Sequence, residues 1–234
     1  MRTYFTVSCL VAALVFAPVI SAHAHLRNYL VTRPYWTPPA GAFEIEVYND
    51  FIDKDSGETI YTHQTEVEYG ITDRVALGIY SVLEKKGSMQ LEYAATKLEA
   101  RYRLAKYSRL IMDPALYLEY KAGANGRSDE VEIKFILSKD FANDMNLTFN
   151  GILEKEREPG STWEKGFAMG LCKVLGRHIT AGVELKAGEG KAYLIPGVYL
   201  NVARGTRLNI GTAFGLSEES DDFQLRTIAE FELF

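Results

Sequence analysis

The sequence predicts an all-β fold: a transmembrane antiparallel up-and-down β-barrel of about twelve strands, after a cleaved signal peptide. Apolar and polar residues alternate with a period of two, which places them on opposite faces of a strand. In the stretch Thr62–Tyr80, Glu66 and Glu68 alternate with apolar neighbours, residues 70–74 form a turn, and the alternation then resumes. After the export signal, no run approaches the ~20 apolar residues that a membrane helix needs.

The first 24 residues have the organisation of a secretory signal peptide. Arg2 is positive, the run from Tyr4 to Ile20 is apolar, and Ala22-His23-Ala24 is a small-x-small cleavage site. We therefore expect cleavage after Ala24, and a retained anchor is the weaker alternative because the apolar run is short.

Residues 25–41 form a separate proline-rich segment. Pro34, Pro38 and Pro39 lack the N–H that a strand ladder needs. We therefore predict a periplasmic lead-in over 25–41 and a transmembrane barrel over 42–234.

Twelve predicted strands follow in order, each marked by alternating apolar residues. Strand four is ambiguous, because Leu91, Ala95, Leu98 and Tyr102 also suit a helix; we predict a strand because its neighbours are strands. The marker residues, strand by strand, are Phe43, Ile45 and Val47; Val67 and Tyr69; Val75, Leu77 and Ile79; Leu98, Ala100, Tyr102 and Leu104; Leu116, Leu118 and Tyr120; Val131, Ile133, Phe135 and Leu137; Leu147, Phe149 and Leu153; Phe167, Met169 and Leu171; Ile179, Ala181, Val183 and Leu185; Leu194, Val198, Leu200 and Val202; Leu208, Ile210 and Phe214; and, for the last, the run from Phe223 to Phe234.

The predicted reversals differ in length on the two sides of the barrel. Those after the even-numbered strands are predicted to be tight, and those after the odd-numbered strands tend to be longer and more polar. Short periplasmic turns and longer outer loops are typical of outer-membrane barrels. The turn at 70–74 is therefore expected in the periplasm, with Val67, Tyr69, Leu77 and Ile79 facing lipid and Glu66 and Glu68 facing inward.

Alternation alone does not say whether the apolar face meets lipid or a core. Side chains can fill the interior of a barrel of roughly eight strands, and a barrel of twelve strands is too wide to be filled in this way. The apolar face carries almost no charge, and aromatic residues such as Tyr61, Trp163 and Phe223 lie near strand ends, as in interfacial girdles. These observations favour lipid.

Composition excludes several classes of function. Loss of Arg2 with the signal changes the net charge from −5 to −6, which argues against a nucleic-acid partner. Cys172 is the only cysteine after the signal, so no intrachain disulfide forms. No His, Cys and carboxylate spacing indicates a metal site, and no cofactor is predicted.

Two features resemble known membrane proteins. The terminal Phe234 is similar to the assembly signal of Gram-negative outer-membrane barrels, although Glu230 and Glu232 occupy alternate positions that are usually apolar. The segments 38–46 (PPAGAFEIE) and 66–78 (EVEYGITDRVALG) resemble the family of phenol-degradation meta-pathway outer-membrane transporters. The resemblance implies the barrel fold, and the family name implies uptake of phenols or hydrocarbons.

The polar residues of each predicted strand share one face, and they supply candidate lumen residues of both positive and negative charge. We interpret them as a transverse field across a narrow aqueous pore that selects polar or zwitterionic solutes. The alternative is a ladder in which Glu99, Glu119 and Glu132 pair with nearby bases and nearly close the lumen. The candidates are Glu44, Glu46, Glu66, Glu68, Lys97, Glu99, Arg101, Arg103, Glu119, Lys121, Glu132, Lys134, Glu184, Lys186, Arg226 and Glu230.

His63 and Thr65 lie two residues apart on the predicted lipid face, the spacing of His and Ser in some outer-membrane lipid hydrolases. The hydroxyl belongs to threonine, and no orienting acid or amide is identifiable on that face. An interfacial histidine is therefore the preferred interpretation, and no catalytic residue is predicted.

Together these observations predict a channel or transporter in the outer membrane of a Gram-negative bacterium, for passive passage of small hydrophobic or zwitterionic solutes. The first alternative is a structural or surface-interaction barrel with an occluded lumen, and the second is a lipid-modifying enzyme. The expected partners are outer-membrane lipid and lipopolysaccharide, the barrel-assembly machinery and a small-molecule solute.

Overall fold

The computed structural model describes residues 28–54, 57–221 and 223–233. The prediction of twelve strands is confirmed, including a strand at the ambiguous fourth position. The strands are β1 (Phe43–Asp53), β2 (Thr59–Thr72), β3 (Val75–Lys86), β4 (Glu92–Arg103), β5 (Asp113–Gly123), β6 (Glu130–Phe141), β7 (Met145–Glu156), β8 (Glu164–Val174), β9 (Ile179–Gly188), β10 (Lys191–Ala203), β11 (Thr206–Gly215) and β12 (Phe223–Leu233). Among the described residues, no helix is long and apolar enough to cross a membrane.

The strands form one closed antiparallel barrel. Each strand pairs with its neighbours in the sequence, and β12 closes the sheet by pairing with β1. Glu44 of β1, for example, lies opposite Glu68 of β2 on one side and Glu232 of β12 on the other. Closure leaves no free strand edge, which is the condition for a sheet to cross a bilayer.

The two faces of the barrel differ in chemistry as the alternation predicts. The outward face is apolar, and central positions such as Ile79 and Leu118 are 51% and 50% exposed. Among the described strands, the charged outward residues lie close to strand ends; they are Asp53, Lys85, Lys139, Lys155, Lys165 and Lys173. An apolar band with charges only at its margins is the pattern of a lipid-facing surface.

A charge introduced in the middle of this band should be costly. We expect Ile79→Lys to lower the free energy of unfolding by about 2–4 kcal/mol, because the ammonium group would lie near the bilayer midplane. Val202→Lys, close to the end of β10, should cost only about 0–1 kcal/mol. Urea unfolding in lipid vesicles measures both, and equal effects at the two positions would contradict a membrane-spanning band.

The two ends of the barrel carry different connections. At the loop end, the connections are 54–58, 87–91, 124–129, 157–163, 189–190 and 216–222. At the terminus end, where β1 begins and β12 finishes, they are 73–74, 104–112, 142–144, 175–178 and 204–205. The predicted asymmetry is wrong after β4, where the connection is long. The two-residue turn 189–190 after β9 is an exception to the tendency towards longer loops after odd-numbered strands.

The long connection 104–112 has a structural reason. Its Tyr107 ring lies 4.6 Å from the Trp36 ring, and the Ala105 carbonyl accepts a hydrogen bond from the Tyr35 hydroxyl at 2.6 Å. The connection therefore packs against the segment that precedes β1, a role that a two-residue turn could not perform.

A carboxylate orders the connection 124–129 at the loop end. The Tyr120 hydroxyl donates to Asp129 at 2.6 Å and the Gly123 amide donates to it at 3.1 Å. The Tyr120 hydrogen bond, followed by that from Gly123, lowers the pKa of Asp129 below its usual range.

The predicted signal peptide, its cleavage after Ala24 and the terminal Phe234 lie outside the described residues. They remain predictions.

Candidate functional site

The segment before β1 lies inside the barrel, not in a lead-in outside it. Tyr29, Leu30, Thr32 and Arg33 are buried, with exposures of 4% or less. The described part of the predicted periplasmic lead-in, residues 28–41, is therefore corrected to a lumenal segment. Its prolines keep it out of the strand ladders, but its polar groups find partners on the inner wall.

Glu184 of β9 holds the backbone of this segment. Its two carboxylate oxygens accept hydrogen bonds from the amides of Leu30 at 2.6 Å, Val31 at 3.0 Å and Thr32 at 2.6 Å. Three successive amides on one carboxylate satisfy donors that would otherwise be buried without partners.

Asn150 of β7 binds both backbone polar groups of the next residue, Arg33. Its side-chain oxygen accepts from the Arg33 amide at 2.6 Å, and its side-chain nitrogen donates to the Arg33 carbonyl at 3.0 Å. This pair of hydrogen bonds replaces the ladder bonds that a strand would make at that position.

Small wall residues leave room for the segment. A Cβ on Gly170 would collide with the Tyr29 ring, and a Cβ on Gly70 would collide with the carbonyls of Pro38 and Pro39.

The Tyr29 hydroxyl donates to the Asn146 carbonyl at 2.9 Å, and Arg226 donates to the Leu30 carbonyl at 3.0 Å.

Arg33 neutralises a cluster of wall carboxylates. It is the single charged residue between Asn28 and Gly41. Its guanidinium forms an ion pair with Glu99, lies 3.3 Å from Glu66 and is 4.0 Å from Glu46. The side chains of all four residues are at most 5% exposed, so the attraction acts where water screens it little.

The sixteen candidate lumen residues all lie on the inward parity of their strands, and they are divided between two zones. Towards the terminus end, Arg101 pairs with Glu68 and lies 3.6 Å from Glu99, while the Arg103 guanidinium lies 5.4 Å from the rings of both Tyr35 and Trp36. The carboxylates of Glu44 and Glu230 lie in register with this zone, on the neighbouring strands β1 and β12.

Towards the loop end, the candidate charges pair with near neighbours. The distances between charged atoms are 3.0 Å for Lys97 and Glu119, 3.0 Å for Lys121 and Glu130, 2.8 Å for Lys134 and Glu132, and 2.5 Å for Arg226 and Asp50. The arrangement is mostly a set of local pairs, as the alternative of a charge ladder predicts.

Two adjacent cavities with shared lining residues lie between the lumenal segment and the loop end. Their volumes are about 230 Å³ and 490 Å³, and Val31 lines both. Glu154 and Lys186 also line both cavities, and within the described residues neither has an ion-pair partner within 4.0 Å. An acid and a base thus face this space without an ion pair within 4.0 Å among the described residues, although Glu154 has Glu130 as a hydrogen-bonding neighbour.

The larger cavity also has an apolar side. Ile52, Ile152, Ile195 and Tyr193 line it beside the charged residues. The space is of the size that small-molecule sites occupy in proteins. We name the two cavities together the vestibule.

The sequence pattern did not identify three residues of this site, which are Arg33, Asn150 and Tyr29. One signal was available: a lone arginine in an otherwise uncharged segment, next to a barrel whose predicted inner wall carries an excess of carboxylates. Proline content alone suggested a periplasmic lead-in.

Solved structures of similar fold include membrane channels. The COG4313 outer membrane channel from Pseudomonas putida F1 matches with a TM-score of 0.60 and 13% identity, covering 85% of this chain and 98% of that one. The KdgM porin matches with a TM-score of 0.62 and 9% identity over 80% and 98% of the two chains. The chain has the fold of an outer-membrane β-barrel. The NanC porin gives the same result at a TM-score of 0.58, with 10% identity over 81% and 98% of the two chains.

These neighbours are channels and porins, and one KdgM structure is a complex with disordered oligogalacturonate. No protein-family model and no curated protein matches the sequence. The resemblance to the phenol meta-pathway transporters therefore stays a prediction.

Proposed function

We propose that the protein is a passive outer-membrane channel for small solutes, closed in this structure by its own residues 28–41. The observation that carries the proposal is the charged vestibule, which lies towards the loop end and borders the segment at Val31 and Arg33. Towards the terminus end, the segment itself fills the lumen, where its Tyr35 is buried with Ala115, Tyr117 and Ile136.

The contacts of the segment support a closure that can be reversed. Between Tyr29 and Pro34, the hydrogen bonds to the wall involve a side chain on at least one partner, and none is part of a strand ladder. Side-chain contacts of this kind can exchange for water without opening the sheet. The segment therefore acts as a plug.

The vestibule favours solutes that carry both charges. Lys186 offers an ammonium group to a carboxylate, and Glu154 offers a carboxylate to an ammonium group, whereas most other charges in the vestibule already have partners. The isoleucine side of the larger cavity would accept an apolar portion of the same solute. Uptake of hydrocarbons, implied by the family resemblance, would use this apolar side.

A structural or surface-interaction barrel is the second candidate. The filled terminus end and the local ion pairs favour it, since both reduce the free lumen. The two candidates differ in whether solute crosses.

We expect the barrel to stand in a Gram-negative outer membrane with its terminus end in the periplasm. This orientation would present the loop end to lipopolysaccharide and Phe234 to the assembly machinery. A tag at Thr72 that is accessible on intact cells would contradict it.

Liposome swelling with size-matched solutes tests the channel proposal. We expect a zwitterionic amino acid to enter faster than a neutral, cationic or anionic analogue. Lys186→Gln and Glu154→Gln should each lower that preference at least threefold, since each removes a charge that faces both cavities. Lys173→Gln, on the outward face, is the matched control and should leave the rates unchanged.

The outcome separates the two candidates. Swelling no faster than in protein-free liposomes, for every solute and also for a variant lacking the plug, would favour the structural barrel. Entry that depends on neither Lys186 nor Glu154 would leave a channel but contradict the zwitterionic preference.

A further inference from the structure

Three polar side chains form a hydrogen-bonded row on the outer surface of the barrel. Asn49 of β1 and His63 of β2 are paired in register, and Thr65 follows two residues later on the same face. His63 Nδ1 lies 2.9 Å from Asn49 Oδ1, and His63 Nε2 lies 3.4 Å from Thr65 Oγ1. A hydroxyl, an imidazole and an orienting amide therefore follow one another in the order of a nucleophilic triad.

The hydrogen bonds determine which ring nitrogen of His63 carries the proton. Asn49 Oδ1 is a carbonyl oxygen, which only accepts, and the Tyr61 hydroxyl also donates to it at 2.7 Å. Nδ1 of His63 must then carry the ring proton, which leaves Nε2 free to accept the proton of the Thr65 hydroxyl. This is the tautomer that a general base requires.

The row lies within the apolar outer band, a few residues from the loop end. The Phe51 and Tyr61 rings, 4.8 Å apart, lie on the side of the loop end, and Val47 and Val67 lie on the opposite side. Asn49, His63 and Thr65 are each partly exposed. A group that reaches them comes from the lipid layer.

We propose that Thr65, His63 and Asn49 form a hydrolytic site for the acyl esters of membrane lipids. Thr65 Oγ1 attacks the ester carbonyl while His63 Nε2 takes its proton. The ester C–O bond breaks, and the imidazolium returns the proton to the departing lipid alcohol, which leaves an acyl-threonine. Water then loses a proton to His63 and adds to the acyl carbonyl, and the fatty acid leaves as Thr65 recovers its proton. The sum is ester plus water to acid plus alcohol.

The 3.4 Å contact between Thr65 and His63 is longer than a good hydrogen bond. Such contacts are often long in substrate-free hydrolases and shorten when substrate binds. Asn49 acts as a positioning residue, because it contacts His63 and not the ester. The proposal is independent of the channel, since none of these residues faces the lumen.

Release of labelled fatty acid from detergent micelles of phosphatidylethanolamine tests the proposal. We expect slow release by the folded barrel, lost at least 100-fold in both Thr65→Ala and His63→Ala. Thr65→Ser should retain or raise the rate, because a primary hydroxyl is less hindered. Thr212→Ala, another outward threonine on β11, is the matched control, and heat-modifiable migration on gels verifies folding of each variant.

Two further readouts separate catalysis from structure. Asn49→Ala should lower kcat and alter its pH profile, and Asn49→Asp should restore both. A sulfonyl fluoride should label the peptide containing Thr65 only when His63 is present. Release equal to that of protein-free micelles by both the folded wild type and Thr65→Ser, or release unchanged in Thr65→Ala and His63→Ala, would overturn the proposal and leave the row as a self-satisfied polar cluster.

Discussion

Replacing Arg101 by alanine should lower the free energy of unfolding of the barrel by about 3–5 kcal/mol. The Arg101 and Glu68 side chains form an ion pair and are only 3% and 1% exposed. Removal of the guanidinium leaves the Glu68 carboxylate buried and without its counter-charge, which costs more than the pair contributes when intact. Urea unfolding in lipid vesicles measures the loss.

Lys121→Ala is the matched control. Lys121 also pairs with a glutamate, Glu130, but its side chain is 30% exposed, so water screens the pair. We expect a loss of about 0–1 kcal/mol. The double variant Arg101→Met/Glu68→Leu should recover most of the stability, because no buried charge is left alone. An Arg101→Ala loss as small as that of Lys121→Ala would contradict the buried cluster.

The barrel could be predicted from the sequence because its main signal is local. Alternation along a single strand tells which residues share a face, and the outward side chains of Val67, Leu77 and Ile79 follow from it directly. The candidate lumen residues were assigned to the inner face for the same reason.

The plug could not be predicted in this way. The position of residues 28–41 depends on contacts with Asn150 and Glu184, which lie more than a hundred residues away. The pattern of the segment itself carries no period, so nothing local distinguishes a lumenal plug from a free linker.

The hydrogen-bonded row of Asn49, His63 and Thr65 on the outer surface could not be predicted in full for a similar reason. The sequence places His63 and Thr65 on one face, but Asn49 becomes the neighbour of His63 only through the register between β1 and β2. For this reason the alternation along the strands did not identify Asn49 as an amide that orients His63. Parity is local, whereas register depends on how two strands align.

Deletion of residues 28–40 should have the largest functional effect. It removes the side chains of the segment that fill the lumen, and it uncovers the carboxylates of Glu46, Glu66 and Glu99 that Arg33 now neutralises. The open lumen would then be wider and negative, which favours cations. Glu184→Ala is a milder second variant, because it keeps the segment but removes three of its hydrogen bonds.

Single-channel recording in planar bilayers tests the central claim, that the barrel is a channel closed by its own amino-terminal segment. For the full chain, we expect small or rare openings. For the variant lacking residues 28–40, we expect a steady conductance at least tenfold larger with a reversal potential shifted towards cations, and Glu184→Ala should open more often than the full chain. A deletion variant that migrates as a folded barrel but conducts no more than the full chain would contradict the claim.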